Sequence, residues 1–168
     1  MPWAMESTRN KFLLYLQFVL FHLGVVAAIT QTFTLPFAAS IHQNPDSAIV
    51  FQFFTGSACV IGVMRIIRRL GVKYIRVIST PDDHFSLWLL TIWFFFAFQA
   101  ANYPFGVKTV LGMDGILTMI IFFYMTAFFL IYVPFSKISH YLYYPFTRYY
   151  FGKSMGHRGV YPLVRKRA

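Results

Sequence analysis

The sequence predicts an all-α integral membrane protein, built as a bundle of four membrane-spanning helices with both termini in the cytoplasm. Of its 168 residues, 58% are hydrophobic and only 12% are charged, whereas a soluble domain of this size carries far more charge. The apolar residues stand in long blocks of the length that a bilayer requires, about 20 residues per helical span. The Lys and Arg residues cluster at the ends of these blocks.

Four apolar blocks mark the predicted spans, which cover residues 12–37, 48–67, 85–101 and 114–144 and form one membrane domain over residues 1–151. Backbone groups in lipid must be satisfied internally, so blocks of this length are helices. The first block exceeds the apolar region of a signal peptide, about 7–15 residues, and is predicted to be a retained span. In the fourth, Pro134 is expected to kink the helix before a Tyr-rich extension suited to the interface.

The distribution of positive charge predicts the orientation. The net charge is +10, and the basic residues concentrate near the N-terminus, in the loop after the second block and in a basic tail over residues 152–168. The other two loops contain only Lys108. Since Lys and Arg favour the cytoplasmic side, all three basic regions are predicted to lie there. Lipid headgroups, rather than nucleic acid, are the expected partner, because the chain shows no nucleic-acid-binding motif.

Two histidines are the main candidates for a functional role. His22 lies near the middle of the first block, about 15 Å from its start, where burial of an ionisable group is costly. A neutral imidazole that hydrogen-bonds to a neighbouring helix explains it equally well. His140 lies at the cytoplasmic end of the fourth block, where contact with headgroups or water is the better explanation of that residue alone. The sequence pattern by itself therefore does not pair them.

Other polar and small residues have structural explanations beside functional ones. Ala58 and Gly62 form a small-xxx-small pair, which favours close helix packing or leaves room for a flat macrocycle. The candidates for lining a quinone pocket are Gln17, Gln31, Gln52 and Gln99. Buried amides more often bridge helices, so both explanations stay open. The chain has no phosphate loop, nucleophile elbow or HExxH motif, and no residue is predicted to be catalytic.

Three stretches of the chain carry a family resemblance. They are residues 21–24 in the first block, residues 62–83 around the basic loop, and residues 133–140 followed by Pro145. In this order they resemble the nitrate reductase gamma subunit family of membrane cytochromes b, whose relatives include membrane subunits of heterodisulfide reductase and of sulphate-reducer electron-transfer complexes. The resemblance covers most of the chain up to about residue 151, and its third stretch is the most specific.

The resemblance implies a single haem b with His22 and His140 as the axial ligands of its iron. In the family, four histidines bind two haems. This chain has Thr32 ten residues after His22, and Phe122 eighteen residues before His140, where the family has its other two histidines. Those two bind the outer-side haem, so the chain lacks that site and keeps the cytoplasmic-side one.

Electron transfer is the function that the resemblance implies, in the cell membrane of a prokaryote. The chain would pass electrons between membrane quinone and a cytoplasmic-side iron–sulphur protein that feeds a catalytic subunit. Either quinone meets the remaining haem directly, or another subunit handles it. Arg69 and Lys137 lie on the haem side and are candidates for contacting its propionates, although both equally fit the positive-inside rule.

Two alternatives to an electron-transfer subunit remain. The first is a haem-free membrane anchor that docks a soluble redox complex. The second is a small transporter or channel, which ranks lower because charged residues in the middle of the membrane and broken helices are scarce in this sequence.

Overall fold

The computed structural model of the chain describes residues 11–102, 112 and 114–155, and every regular element among them is helical, which confirms the all-α prediction. In chain order the helices are α1 (Phe12–Phe37), α2 (Ala39–His42), α3 (Pro45–Gly71), α4 (Lys73–Ile78), α5 (Pro81–Ala100), α6 (Gly115–Tyr132) and α7 (His140–Met155). Two 3-10 turns, Val133–Phe135 and Lys137–Ser139, connect α6 to α7. The N-terminal residues 1–10, Lys108 and most of the basic tail, residues 156–168, lie outside the described residues.

Three helical segments are long and apolar enough to span a membrane. They are α1, α3 and the stretch Gly115–Phe135, which comprises α6 and the first 3-10 turn. Between 17% and 28% of the residues in their most apolar segments are buried within the protein. Most of these apolar side chains therefore face outwards, as expected where lipid is the solvent, and the chain has the character of a membrane protein.

Helix α5 lies at the centre of the helix array. It packs extensively against α3 and α6, and along a shorter stretch against α1. Its buried side chains include Trp93 and Phe94. It begins with a capping box on Thr80 and with Asp82 and Asp83 in its first turn, where carboxylates favour the positive end of the helix dipole. With this polar start, α5 is not among the three segments that are apolar enough to span a membrane.

Small residues bring α1, α3 and α5 into close contact. A Cβ atom on Gly24 of α1 would collide with the Cβ atom of Ala58 on α3 and would lie 2.9 Å from the carbonyl oxygen of Phe54. A Cβ atom on Gly62 would collide with the hydroxyl of Thr91 on α5. The pair Ala58 and Gly62 therefore serves helix packing, and the space beside it is filled by other helices.

The fourth predicted span does not form one continuous helix. Helix α6 ends at Tyr132, and Pro134 lies within the 3-10 turn that follows. Proline lacks the N–H that would extend the α-helical ladder, and its ring crowds the preceding turn. After the second turn, His140 begins the separate helix α7. The predicted extension through residue 144 is thus helical only after a break.

Candidate functional site

The imidazole of His22 is held by a hydrogen bond within α1. Its Nδ1 atom lies 2.8 Å from the carbonyl oxygen of Phe18, one turn earlier. Because a carbonyl can only accept, Nδ1 is the donor, and in the neutral form of the ring the lone pair then lies on Nε2. The Phe18 ring packs against the imidazole, with 4.1 Å between the ring centroids. The histidine is thereby fixed in the tautomer whose Nε2 can bind a metal ion.

The face of α1 that carries His22 is only partly covered by other helices. Phe18 and Val26, which share this face, are 51% and 50% exposed. Gly24 lies close to His22 in sequence but contacts α3 at Ala58. Helical geometry separates the two positions. The imidazole therefore borders an apolar stripe that the described helices leave open.

The structure places the backbone of His140 at the first residue of α7, and its side chain lies outside the described part of the chain. Helix α1 packs against α3 and α5, whereas α6 and the turn Lys137–Ser139 pack against α5. Helix α5 thus separates the element that carries His22 from the element that leads to His140. No contact in the described residues joins the two histidines, and their pairing stays a prediction.

The ammonium group of Lys137 has partners at the start of α5. Its Nζ donates to Thr80 Oγ1 at 2.8 Å and to Asp83 Oδ1 at 3.1 Å. Asp83 also accepts a hydrogen bond from the backbone N–H of Thr80 at 2.8 Å. Hydrogen bonds from the Thr80 backbone, then from its hydroxyl, and the nearby Lys137 lower the pKa of Asp83 to about 2. Lys137 therefore ties the turn after α6 to the cap of α5.

A cavity of about 570 Å³ lies at the end of the bundle that carries α4, with walls from α1, α3, α4 and α5. Three arginines at the end of α3, namely Arg65, Arg68 and Arg69, supply its positive charge. Gln17 adds an amide. The apolar part of the wall comprises Leu14, Phe18, Met64, Ile75 and Leu87. The sequence made Arg69 a candidate for contacting a haem propionate. In the structure it belongs to this cluster of three arginines.

Among the described residues, the three arginines of this cavity have no acidic partner. Within residues 11–102 and 114–155, no carboxylate forms a salt bridge with Arg65, Arg68 or Arg69. The guanidinium carbon of Arg65 lies 4.4 Å from the ring centroid of Phe21, a cation–π contact. Arg69 Nη1 is buried and meets no acceptor in the described part of the chain. From the sequence these charges were expected to set orientation, to contact lipid headgroups and, at Arg69, to be a candidate for a haem propionate contact. Their i, i+3, i+4 spacing also indicates a shared helix face.

Buried polar side chains away from this cavity join helices to one another. Gln31 Nε2 donates to the carbonyl oxygen of Ala97 at 2.9 Å and so bridges α1 to α5. His42 is fully buried, with its Nε2 2.7 Å from Thr34 Oγ1 and its ring stacked on Phe51. Burial lowers the pKa of His42. Both residues therefore have a structural explanation in this fold.

Comparison with known proteins identifies no relative of this chain. No protein-family model, no curated protein and no solved structure matches it. Among the described residues, no group of three or more His, Cys, Asp or Glu side chains comes together as a possible metal site. The family resemblance accordingly rests on the sequence stretches that carry it, and the haem, its ligands and the partner subunits remain predictions.

Proposed function

We propose that the chain is the haem b subunit of a membrane complex in the cell membrane of a prokaryote. It would pass electrons between membrane quinone and a cytoplasmic-side iron–sulphur protein that feeds a catalytic subunit, and His22 and His140 would hold the haem. The observation that carries the proposal is the hydrogen bond from His22 Nδ1 to the Phe18 carbonyl. A histidine that binds a metal commonly donates from its other ring nitrogen to such an acceptor.

The surroundings of His22 suit a flat apolar cofactor. The open stripe around Phe18 and Val26 on α1 would be covered by a macrocycle bound to Nε2. A haem held by the imidazoles of His22 and His140 would supply single-electron transfer. The contribution of this chain is to fix the ligand tautomer and to surround the site with apolar side chains that exclude water. In this arrangement Lys137 keeps its hydrogen bond to Thr80 and its salt bridge to Asp83.

In this proposal all four long helices cross the membrane and both termini face the cytoplasm. Helix α5 has 20 residues, or about 30 Å at 1.5 Å per residue, which matches the hydrocarbon core. Its neighbours α1, α3 and α6 cover the face of α5 that buries Ser86, Thr91 and Gln99, so these polar groups are tolerated within protein. The basic loop containing α4 then lies on the same side as the basic tail.

A haem-free membrane anchor for a soluble redox complex is the second candidate. The observation that favours it is the position of α5 between α1 and α6. A haem ligated by His22 and His140 has to reach past the cytoplasmic end of α5, whereas an anchor needs no contact between these histidines.

A reduced-minus-oxidised optical spectrum distinguishes these two functions. The full chain is produced with haem precursor, purified in mild detergent and assayed for haem content, with membranes lacking the chain processed in parallel as the control. The proposal predicts a b-type alpha band, one haem per chain, and reduction of the band by a quinol. A pure, folded preparation that contains no haem would leave the anchor function as the better explanation.

A further inference from the structure

The arginine-lined cavity is a site that the haem proposal does not require. Burial of a guanidinium donor without an acceptor costs free energy, and Arg69 Nη1 is in this state within the described residues. Arg68 and Arg69 also lie close enough to Arg65 to repel it electrostatically. A bound anion would supply the missing acceptor and offset the repulsion among the three charges.

The guanidinium groups of the cavity favour an anion with several oxygen atoms. The planar fork of a guanidinium matches phosphate and carboxylate groups, to which it donates two hydrogen bonds at once. The volume of about 570 Å³ is within the range of small-molecule sites, about 300–1,000 Å³. It exceeds what a bare phosphate ion needs, so a larger ligand with an anionic head fits better.

The position of the cavity indicates that this ligand comes from the bilayer. Leu14 and Met64 contribute to its wall and are 41% and 48% exposed on the outside of the bundle. Its charged wall comes from the end of α3, beside the loop that carries further basic residues. One side of the cavity therefore offers apolar contacts to an acyl chain and the other offers guanidinium groups to a headgroup.

We propose that this cavity binds the phosphate group of an anionic phospholipid, with Arg68 and Arg69 as its hydrogen-bond donors. Anionic lipids of the cytoplasmic leaflet are attracted to basic groups near the membrane surface. Arg69 is then committed to the lipid phosphate and is not free for a haem propionate. The lipid site stands whether or not the chain binds haem.

Lipid binding to the full-length protein in mild detergent, measured by native mass spectrometry, tests this site. Phosphatidylglycerol should bind about tenfold more tightly than phosphatidylcholine, since the quaternary ammonium of phosphatidylcholine cancels the net charge of its phosphate and repels the arginines. Arg68→Gln and Arg69→Gln should each weaken phosphatidylglycerol binding about tenfold. Arg69→Lys, which keeps the charge and loses the fork, should fall between these values. Arg76→Gln is the matched control, because Arg76 lies on α4, outside the cavity wall.

Three results would overturn the lipid site. The first is equal binding of the two lipids, or a loss with Arg76→Gln as large as with Arg69→Gln. The second is displacement of the lipid by inorganic phosphate at equal concentration, which would identify a site for soluble anions. The third is lipid binding by haem-free protein that disappears when the protein is loaded with haem. That result would assign the arginines to the haem propionates.

Discussion

At the scale of single residues, glycines decide how closely the helices approach one another. Gly24 lets α1 contact α3 at Ala58, and Gly62 lets α3 contact Thr91 of α5. The sequence predicted close packing at Ala58 and Gly62 from their spacing. It did not predict the partners Gly24 and Thr91, because the register between two helices depends on packing across the whole interface.

Replacement of Gly24 by alanine should destabilise the bundle. The added methyl group has no space between α1 and α3, and overpacking of this kind costs about 1–3 kcal/mol. The free energy of unfolding, measured by denaturant titration in mild detergent, checks this value. Gly71→Ala is the matched control, since a Cβ atom there meets nothing within 4 Å. An equal effect of both substitutions would show that the α1–α3 contact is looser than described.

The candidate site was only partly predictable at this scale. The sequence placed His22 inside a span without identifying the acceptor for its ring N–H. Helix geometry supplies it at Phe18, four residues earlier. The cluster around Arg69 was missed, because orientation in the membrane already explained its charge. The cavity becomes visible only when α1, α4 and α5 contribute their side chains.

At the scale of helices, polar contacts join α5 to the segment that leads out of α6. Tyr132 donates to Asp82 Oδ1 at 2.7 Å and lies 2.8 Å from Ser86 Oγ. Lys137 binds Asp83 and the hydroxyl of Thr80. These contacts fix the end of α6, where Pro134 stops the helix. The sequence predicted the starts of the helices within a few residues, whereas this break was expected only as a kink.

Asp83→Asn should weaken this connection in a manner that depends on pH. The pKa of Asp83 is lowered from 3.8 to about 2. A lowered pKa in the folded state stabilises the protein above pH ~4, and this stabilisation is lost as the pH falls towards 2. At neutral pH the substitution should cost about 0.5–2 kcal/mol, the typical value of a helix cap. The wild-type protein should then lose more stability than the variant between pH 4 and 2.

The measurement for Asp83 is the free energy of unfolding of both proteins as a function of pH in mild detergent. Asp46→Asn is the matched control, because Asp46 also lies in the first turn of a helix, α3, and its carboxylate makes no hydrogen bond in the described structure. If Asp46→Asn and Asp83→Asn gave the same pH profile, the capping box of α5 would not be the cause.

At the scale of the whole molecule, the position of a helix in the bundle explains its composition. Helix α5 touches α1, α3 and α6, and buries Ser86, Thr91 and Gln99 together with its aromatic core residues. A helix surrounded by others can carry such groups, since they face protein rather than lipid. Hydropathy identifies the three lipid-facing segments. It is less informative about a central helix, whose neighbours cannot be known from the sequence.

Cysteine labelling tests whether all four long helices cross the membrane. Single cysteines at Gln43, Val77 and Tyr150 are introduced in a Cys59→Ser background, at exposed positions between α2 and α3, on α4 and on α7. Four spans predict that a membrane-impermeant reagent labels only position 43 in intact cells, and that positions 77 and 150 require permeabilisation. Labelling of position 150 from outside would mean that only one of α5 and α6 crosses, which contradicts four spans.

The pairing of His22 with His140 is the central claim, and low-temperature electron paramagnetic resonance of the oxidised protein tests it most directly. The full-length protein is compared with His22→Ala, His140→Ala and, as the control, His84→Ala, whose histidine lies in the first turn of α5. The account predicts a low-spin bis-histidine signal in the wild-type protein and in His84→Ala, and its loss in each of the other two variants. A normal low-spin signal that persists in folded His22→Ala or His140→Ala would contradict the pairing.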